Sequence, residues 1–127
     1  MSNESLVVSL AIDAHEGRDV GVADIPGAYL HAKLPKKKRV VLKLVTVFVD
    51  IMREVNKEYE MYVIYEGKKN VLYLRVCRAL YGYLESALLW YNLYTNILKK
   101  HGFVLNPYDR CVANKMKNNK QFTIVFM

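Results

Sequence analysis

Two patterns typical of β-hairpins flank the longest helical pattern in this sequence, and this order constrains the fold more than any other feature. Residues 62–65 and 71–76 are strand-like apolar runs, and the five-residue connection between them, residues 66–70, contains glycine. Apolar side chains then recur at helical spacing from Leu84 to Leu98. Residues 111–127 repeat the hairpin pattern. Hairpins and helices in one chain indicate an α+β fold, with an antiparallel sheet and packed helices.

Chain length and charge limit the domain count and the partners. The 127 residues are enough for one hydrophobic core, so we predict a single domain over residues 1–127. Nineteen Lys and Arg against twelve Asp and Glu give a net charge of +7, which favours an anionic partner such as nucleic acid. No apolar run reaches about 18 residues, and the start has no basic signal-peptide region. We therefore expect no membrane partner and an intracellular location, cytoplasmic or nuclear.

The first helix is predicted over residues 5–16, where apolar residues recur on one face and Gly17 provides a stop. That stripe consists of Leu6, Val7, Leu10, Ala11 and Ala14. An amphipathic helix buries its apolar face, so we expect this stripe to pack against the rest of the fold.

Asp24 is the strongest candidate for a catalytic residue. The apolar residues 20–23 predict a strand, and Pro26 favours an extended Ile25, so the carboxylate would lie where the strand ends. Functional side chains gather at such positions, and Asp24 is placed like a metal ligand. The alternative is that Asp24 only caps or closes a turn.

A basic run follows, and it predicts a loop. Lys36, Lys37, Lys38 and Arg39 interrupt the apolar pattern and could contact a phosphate backbone, because neutralised phosphates release counterions. The alternative is a solvated basic loop with no partner.

Three stretches, in this order, resemble the reverse transcriptase of copia-type LTR retrotransposons. Residues 23–32, ADIPGAYLHA, resemble the first polymerase motif of that family. Residues 76–91, VCRALYGYLESALLWY, resemble its Leu-Tyr-Gly segment and the helix that follows. Residues 102–112, GFVLNPYDRCV, resemble its Gly-Phe, Tyr-Asp and Cys-Val stretch. The resemblance implies the fingers and palm of a right-hand polymerase.

This resemblance also implies an RNA-directed DNA polymerase that uses dNTPs, an RNA or DNA template-primer and Mg²⁺, within a virus-like particle in the intact element. It further implies a role for each residue of the nucleotide site. Asp24 and the Ile25 carbonyl would bind metal, Gly27 and Ala28 the triphosphate, Tyr29 the sugar, and Gly82 the base region.

The Asp-Asp pair that completes the catalytic site in this family does not follow within the sequence, so we expect a truncated domain that is inactive alone. Two other functions stay open. One is a non-enzymatic nucleic-acid-binding remnant, suggested by the net charge of +7. The other is a small protein-interaction domain that self-associates through an exposed sheet edge at residues 121–127.

Overall fold

The computed structural model describes residues 2–126, and its helices and two antiparallel sheets confirm the predicted α+β class. The chain divides into two units. The terminal unit joins the chain up to Ala28 with the chain from Ala87 onward, and the central unit is Tyr29–Ser86. Such a division does not decide how many domains fold independently, so the single domain stays a prediction. Met127, the last residue of the predicted second hairpin, lies outside the described residues.

Helices and short strands alternate along the chain, and both predicted hairpins form. In chain order the elements are α1 (Asn3–His15), α2 (Ala28–His31), β1 (Val40–Val45), α3 (Val47–Val55), a 3-10 helix (Lys57–Tyr62), β2 (Ile64–Glu66), β3 (Lys69–Val76), α4 (Ser86–Lys100), β4 (Val104–Leu105), β5 (Val112–Lys117) and β6 (Lys120–Val125). The hairpins are the pairs β2–β3 and β5–β6.

The sheet of the central unit has the order β1-β3-β2. Glu66 pairs with Lys69, so the β2–β3 turn has two residues, and its Gly67 has a φ of +61°. This is the backbone conformation that tight hairpins require and that glycine adopts without strain. The middle strand carries the buried neighbours Val71 and Leu72, which point to opposite faces of the sheet. Both faces of the sheet are therefore covered at this point.

The sheet of the terminal unit has the order β4-β5-β6. Asn118 and Asn119 form the β5–β6 turn with φ values of +53° and +59°, as a two-residue hairpin needs. Val112 and Ala113 are buried in the middle strand. Strand β6 pairs with β5 on one side and ends the order of the sheet, so it is an edge strand.

Helix α1 forms where it was predicted, but it does not bury the predicted stripe. Its N-cap is Ser2, whose hydroxyl accepts a hydrogen bond from the Ser5 N–H at 3.1 Å. Leu6, Val7 and Leu10 of the stripe are exposed. The half-buried face is instead polar and consists of Ser5, Ser9 and Asp13. The polar face turns inward because Asp13 forms an ion pair with Arg18, which donates to Thr123 of β6.

Helix α4 follows its predicted stripe only in its C-terminal half. Thr95 and Leu98 are buried, whereas Leu88 is 60% exposed and Leu84, which precedes the helix, is 95% exposed. Among residues 2–126, no helix combines the length and the apolar character that a membrane crossing requires.

Candidate functional site

The segment that carries Asp24 has no regular secondary structure, so the predicted strand over residues 20–23 is wrong. Val22 is fully exposed. A strand is stable when its N–H and C=O groups pair with a neighbour, and neither sheet of the described chain includes this segment. Gly21 weakens a strand further because it has no side chain to pack. Asp24 therefore does not lie at the end of a strand.

A tight turn follows Asp24 and leads into α2. Pro26 and Gly27 form this turn, and Gly27 has a φ of +62°, which favours glycine. Ala28 begins α2. Asp24 and Ile25 are exposed, and within residues 2–126 the Asp24 carboxylate makes no hydrogen bond or ion pair. Its oxygens are thus accessible to a ligand from solution.

A divalent metal ion needs more ligands than Asp24 and Ile25 supply. Mg²⁺ takes about six oxygen ligands in an octahedral shell, although several can be water or substrate phosphate. Across the described part of the chain, no group of three or more His, Cys, Asp or Glu side chains could hold a metal ion. The predicted ligands could therefore form only part of a metal site, which further ligands would have to complete.

Tyr29 lies against Tyr81, the residue before Gly82, within the central unit. The ring centroids are 4.7 Å apart and the ring planes are tilted by 39°. Such offset aromatic pairs stabilise by about 0.5–1.5 kcal/mol beyond the area they bury. Nearby, the Arg78 guanidinium donates to the Leu30 carbonyl of α2 at 3.1 Å. Tyr29 and Leu30 are therefore held against the Leu-Tyr-Gly segment within the central unit.

A short antiparallel bridge joins the backbones of these two segments. The Leu34 N–H donates to the Cys77 carbonyl at 3.1 Å, and the Ala79 N–H donates to the Ala32 carbonyl at 2.9 Å. Ala32 and Ala79 are 2% and 0% exposed. Both side chains are therefore buried where the two segments pair, and a larger side chain at either position would overpack its surroundings.

Gly82 lies in a turn that two hydrogen bonds close. The Leu80 carbonyl accepts from the Tyr83 N–H at 3.2 Å and from the Ser86 hydroxyl at 2.5 Å. Gly82 has a φ of +83°, as the third residue of a type II turn does. Ser86 is 1% exposed, so its hydroxyl needs the hydrogen bond that it makes. The position of Gly82 is thereby fixed by its neighbours.

The basic loop is less available to an anion than its sequence indicates. Lys38 forms an ion pair with Glu85, and this carboxylate raises the pKa of Lys38 above its usual value. The other three basic residues are exposed and form no ion pair within residues 2–126: Lys36, Lys37 and Arg39. One of the four predicted phosphate contacts is thus already neutralised.

Two residues of this region were missed by sequence reasoning. Arg78 and Tyr81 lie inside the Leu-Tyr-Gly stretch, yet their roles become visible only through their contacts with Leu30 and Tyr29. The signal in the sequence was weak, since an arginine and a tyrosine after a strand fit a solvated loop equally well.

The unit boundary falls inside the predicted nucleotide site. Asp24, Ile25, Gly27 and Ala28 belong to the terminal unit, whereas Tyr29, Gly82, Lys36, Lys37, Lys38 and Arg39 belong to the central unit. Within the central unit, the structure brings Tyr29 next to the turn of Gly82. Comparisons with protein-family models, curated proteins and solved structures find no significant match. The site is therefore interpreted from its own residues.

Proposed function

We propose that this chain is part of an RNA-directed DNA polymerase of the copia-type retrotransposon class and carries portions of its fingers and palm. The observation that best supports this proposal is the packing of Tyr29 against the turn that contains Gly82. By resemblance, Tyr29 borders the sugar and Gly82 the base region of the same incoming dNTP. Two positions that share one nucleotide must be close in space. The ring contact between Tyr29 and Tyr81 satisfies this requirement and supports the proposal.

The proposed reaction is template-directed nucleotidyl transfer on an RNA or DNA template-primer. The chemistry that bound Mg²⁺ would supply is activation of the attacking 3′ hydroxyl and stabilisation of the leaving pyrophosphate. Asp24 would contribute one carboxylate, and the Ile25 carbonyl a further oxygen. The N–H groups of Gly27 and Ala28 would donate to the triphosphate. The Tyr29 ring would lie under the sugar and reject a 2′ hydroxyl.

We expect the 127-residue polypeptide alone to be inactive in synthesis. Its sequence contains no pair of adjacent aspartates, and Asp24 cannot hold two metal ions by itself. Rate losses of many orders of magnitude follow when metal ligands are absent, because the ions supply most of the catalysis. A primer-extension assay with purified protein and Mg²⁺ measures this directly. Robust DNA synthesis would contradict the expectation.

Nucleotide binding tests the positive part of the proposal. We expect a fluorescent dTTP analogue to bind the chain and Tyr29→Ala to weaken that binding roughly tenfold, or about 1.4 kcal/mol. Tyr29→Phe keeps the ring and should bind like the unaltered chain. The matched control is Tyr62→Ala, which removes an exposed tyrosine from the same unit. Equal weakening by Tyr29→Ala and Tyr62→Ala, or no dTTP binding, would refute the nucleotide site.

A second candidate is nucleic-acid binding without catalysis, favoured by the surplus of basic side chains. Ion pairs among residues 2–126 engage only Arg18, Lys38, Lys43 and Arg53 of the nineteen Lys and Arg. The other fifteen Lys and Arg side chains form no ion pair within residues 2–126. Binding to an RNA:DNA duplex that falls steeply with salt, without synthesis, would favour this function. Absence of binding at low salt would exclude it.

A third candidate is self-association, favoured by the edge position of β6. An edge strand presents unpaired N–H and C=O groups that can pair with another chain. Analytical ultracentrifugation over a concentration series should then show a monomer–dimer equilibrium. A sedimentation coefficient that stays monomeric at all concentrations would count against it.

A further inference from the structure

Strand β1 lies at one end of the sheet in the central unit, and its outer side has no backbone partner among residues 2–126. The sheet has the order β1-β3-β2, and β1 forms backbone hydrogen bonds only to β3. Val41 and Leu42 are 57% and 41% exposed, so solvent reaches this strand. An edge of this kind presents N–H and C=O groups that another strand can pair with.

The backbone groups of β1 that point outward follow from the pairing of β3. Glu66 and Lys69 flank a two-residue hairpin turn, so they bond to each other, and the next residue, Asn70, directs its backbone groups towards β1. The Thr46 N–H donates to the Asn70 carbonyl at 2.9 Å, as this alternation requires. The residues that alternate with Thr46 along β1 therefore bond to β3, and these are Val40, Leu42 and Leu44. The residues with outward N–H and C=O groups are Val41, Lys43 and Val45.

The charged side chain of β1 is balanced within its own sheet. Lys43 is the one charged residue of this strand, whose other residues are Val and Leu. Its ammonium forms an ion pair with Glu66 at 2.5 Å, and the Tyr73 hydroxyl donates to the same carboxylate at 2.6 Å. A lysine on an edge strand normally opposes pairing with another chain, because its charge would be brought close to that chain. Glu66 reduces this opposition at Lys43.

We propose that β1 pairs with β1 of a second copy of this chain, antiparallel about a two-fold axis, and joins two three-stranded sheets into one sheet of six strands. The axis is perpendicular to the sheet, so each residue lies opposite one whose side chain is on the same face. Two axis positions overlap the strands best, at Leu42 and at Lys43. An axis at Lys43 places two lysines opposite each other, which is unfavourable, so the axis lies at Leu42.

The register centred on Leu42 satisfies both the backbone and the side chains. Val41 lies opposite Lys43 of the second copy, and each such pair exchanges two hydrogen bonds between outward groups. Leu42 lies opposite its own counterpart, and Val40 lies opposite Leu44 of the second copy. These apolar pairs are not hydrogen-bonded to each other, and in such pairs the side chains approach most closely. Pairing therefore removes apolar side chains from water as well as satisfying the edge.

This interface differs from the β6 edge, which belongs to the terminal unit, and it does not depend on the proposed polymerase function. Analytical ultracentrifugation of the 127-residue chain over a concentration series should show a monomer–dimer equilibrium. Val41→Pro removes an outward N–H and keeps the bonds to β3, since proline is tolerated where the N–H of an edge strand faces solvent. It should weaken dimerisation about tenfold or more, because the dimer loses two hydrogen bonds.

Lysine substitutions test the side chains of the same interface. Leu42→Lys places two like charges opposite each other and should also weaken dimerisation about tenfold or more. The matched control is Phe122→Lys, which puts the same charge at a half-exposed apolar position of the other edge strand, β6. It should change the dimer dissociation constant by less than about threefold, because screening limits distant charges. Circular dichroism confirms that each variant keeps the fold.

Cysteine cross-linking tests the register directly. Leu42→Cys lies opposite its counterpart at a Cα separation of about 4.5 Å, which is within disulfide range. Mild oxidation with diamide should therefore give a covalent dimer on a non-reducing gel. Lys43→Cys is the matched control and should cross-link far less, because it lies opposite Val41. Both variants are made with Cys77→Ser and Cys111→Ser, since the native cysteines are free.

Three results would overturn the interface. A sedimentation coefficient that stays monomeric at all concentrations excludes the pairing of β1. Loss of association in Phe122→Lys, with Leu42→Lys unchanged, places the interface at β6 instead. Faster cross-linking of Lys43→Cys than of Leu42→Cys refutes the axis at Leu42. If Val41→Pro does not fold, Leu42→Lys and the cysteine pair still decide the question. Binding of dTTP is measured separately, so failure of the nucleotide site leaves this interface standing, and the reverse also holds.

Discussion

Two segments that each carry part of the candidate nucleotide site differ in how their backbones are paired. Residues 20–25 include Asp24, belong to no sheet and leave Val22 fully exposed. Residues 77–86 include Gly82 and are bound to residues 30–34 by backbone and side-chain hydrogen bonds. Both segments contain glycine and apolar residues, so composition does not explain the difference. What distinguishes them is a partner for their N–H and C=O groups.

This difference separates the roles that the two segments can play. The turn at Gly82 can position a ligand, because hydrogen bonds and buried alanines fix it. Asp24 offers an accessible carboxylate but no fixed geometry of its own. A metal site there would need ordering by further ligands, and the energy of that ordering would reduce the affinity for the ion. Two matched pairs of substitutions, two single substitutions and an acid titration of Asp109 test this difference.

The largest contrast should come from enlarging one alanine in each segment. Ala79 is fully buried, so Ala79→Leu should destabilise the chain by about 1–3 kcal/mol through overpacking. Ala23 is exposed, so Ala23→Leu should change stability by less than about 0.5 kcal/mol. Urea unfolding followed by circular dichroism gives both values. If the two variants were equally stable, the pairing of residues 77–79 with residues 32–34 would be wrong.

Glycine substitutions should give effects of opposite sign. A Cβ at Gly21 or Gly82 would meet no atom within 4 Å, so only the backbone conformation decides the outcome. Gly82 has a φ of +83°, and Gly82→Ala should cost about 1–2 kcal/mol. Gly21 is not in the left-handed region, and Gly21→Ala should stabilise by about 0.4–1 kcal/mol by restricting the unfolded chain. A loss of stability in Gly21→Ala would show that residues 20–23 adopt an ordered conformation that alanine disturbs.

Removing the Ser86 hydroxyl should have a smaller effect. The Leu80 carbonyl loses one donor but keeps the Tyr83 N–H, so Ser86→Ala should cost about 0.5–1.5 kcal/mol. Ser86 and Gly82 act on the same turn, and the double variant should therefore be non-additive. A double-mutant cycle from urea unfolding measures this coupling. Additive values would mean that the hydroxyl does not support the turn.

The parts of the fold that the sequence predicted are those with local causes. Gly67 and the pair Asn118–Asn119 determine tight turns through their own backbone conformations, and both predicted hairpins form. The connection of the first hairpin was predicted to have five residues and has two, because Lys69 and Asn70 extend β3. The prediction of a strand over residues 20–23 was wrong, because a strand needs a second strand to pair with, and that strand can lie anywhere in the chain. The prediction of which face of α1 is buried was wrong for a related reason. Its orientation is set by Arg18 and Thr123, which no periodicity within the helix can reveal.

The candidate site, like the fold, was predicted from the sequence only in part. The resemblance selected Tyr29 and Gly82, and the structure places Tyr29 beside the turn of Gly82. It did not select Arg78 or Tyr81, which make the contacts that hold this arrangement. The neutralisation of Lys38 by Glu85 was also unpredictable, since the two residues are distant in sequence. Residue types can suggest a site, but the partners that hold or neutralise its side chains are non-local.

Asp109 differs from Asp24 because backbone N–H groups donate hydrogen bonds to its carboxylate. Hydrogen bonds from Ser2 and Cys111 lower the Asp109 pKa from 3.8 to about 2. Because the Asp109 pKa is lower in the folded than in the unfolded chain, the ionised carboxylate stabilises the fold. This stabilisation is fully present above about pH 4 and is lost as the pH falls through about 2. NMR titration of the Ser2 and Cys111 amide signals should show a common midpoint near pH 2. A midpoint near the ordinary aspartate value would show that these hydrogen bonds do not form in solution.

The smallest stability effect is expected for Asp24→Ala, and it separates the two interpretations of this residue. If Asp24 capped or closed a turn, its replacement by alanine would cost about 0.5–2 kcal/mol, because backbone N–H groups would lose their acceptor. Within residues 2–126, no such hydrogen bond to Asp24 exists, so we expect a change below about 0.5 kcal/mol in metal-free buffer. Urea unfolding with and without Mg²⁺ measures it. A clear loss of stability without metal would make Asp24 a structural residue and remove the carboxylate on which the proposed metal site depends.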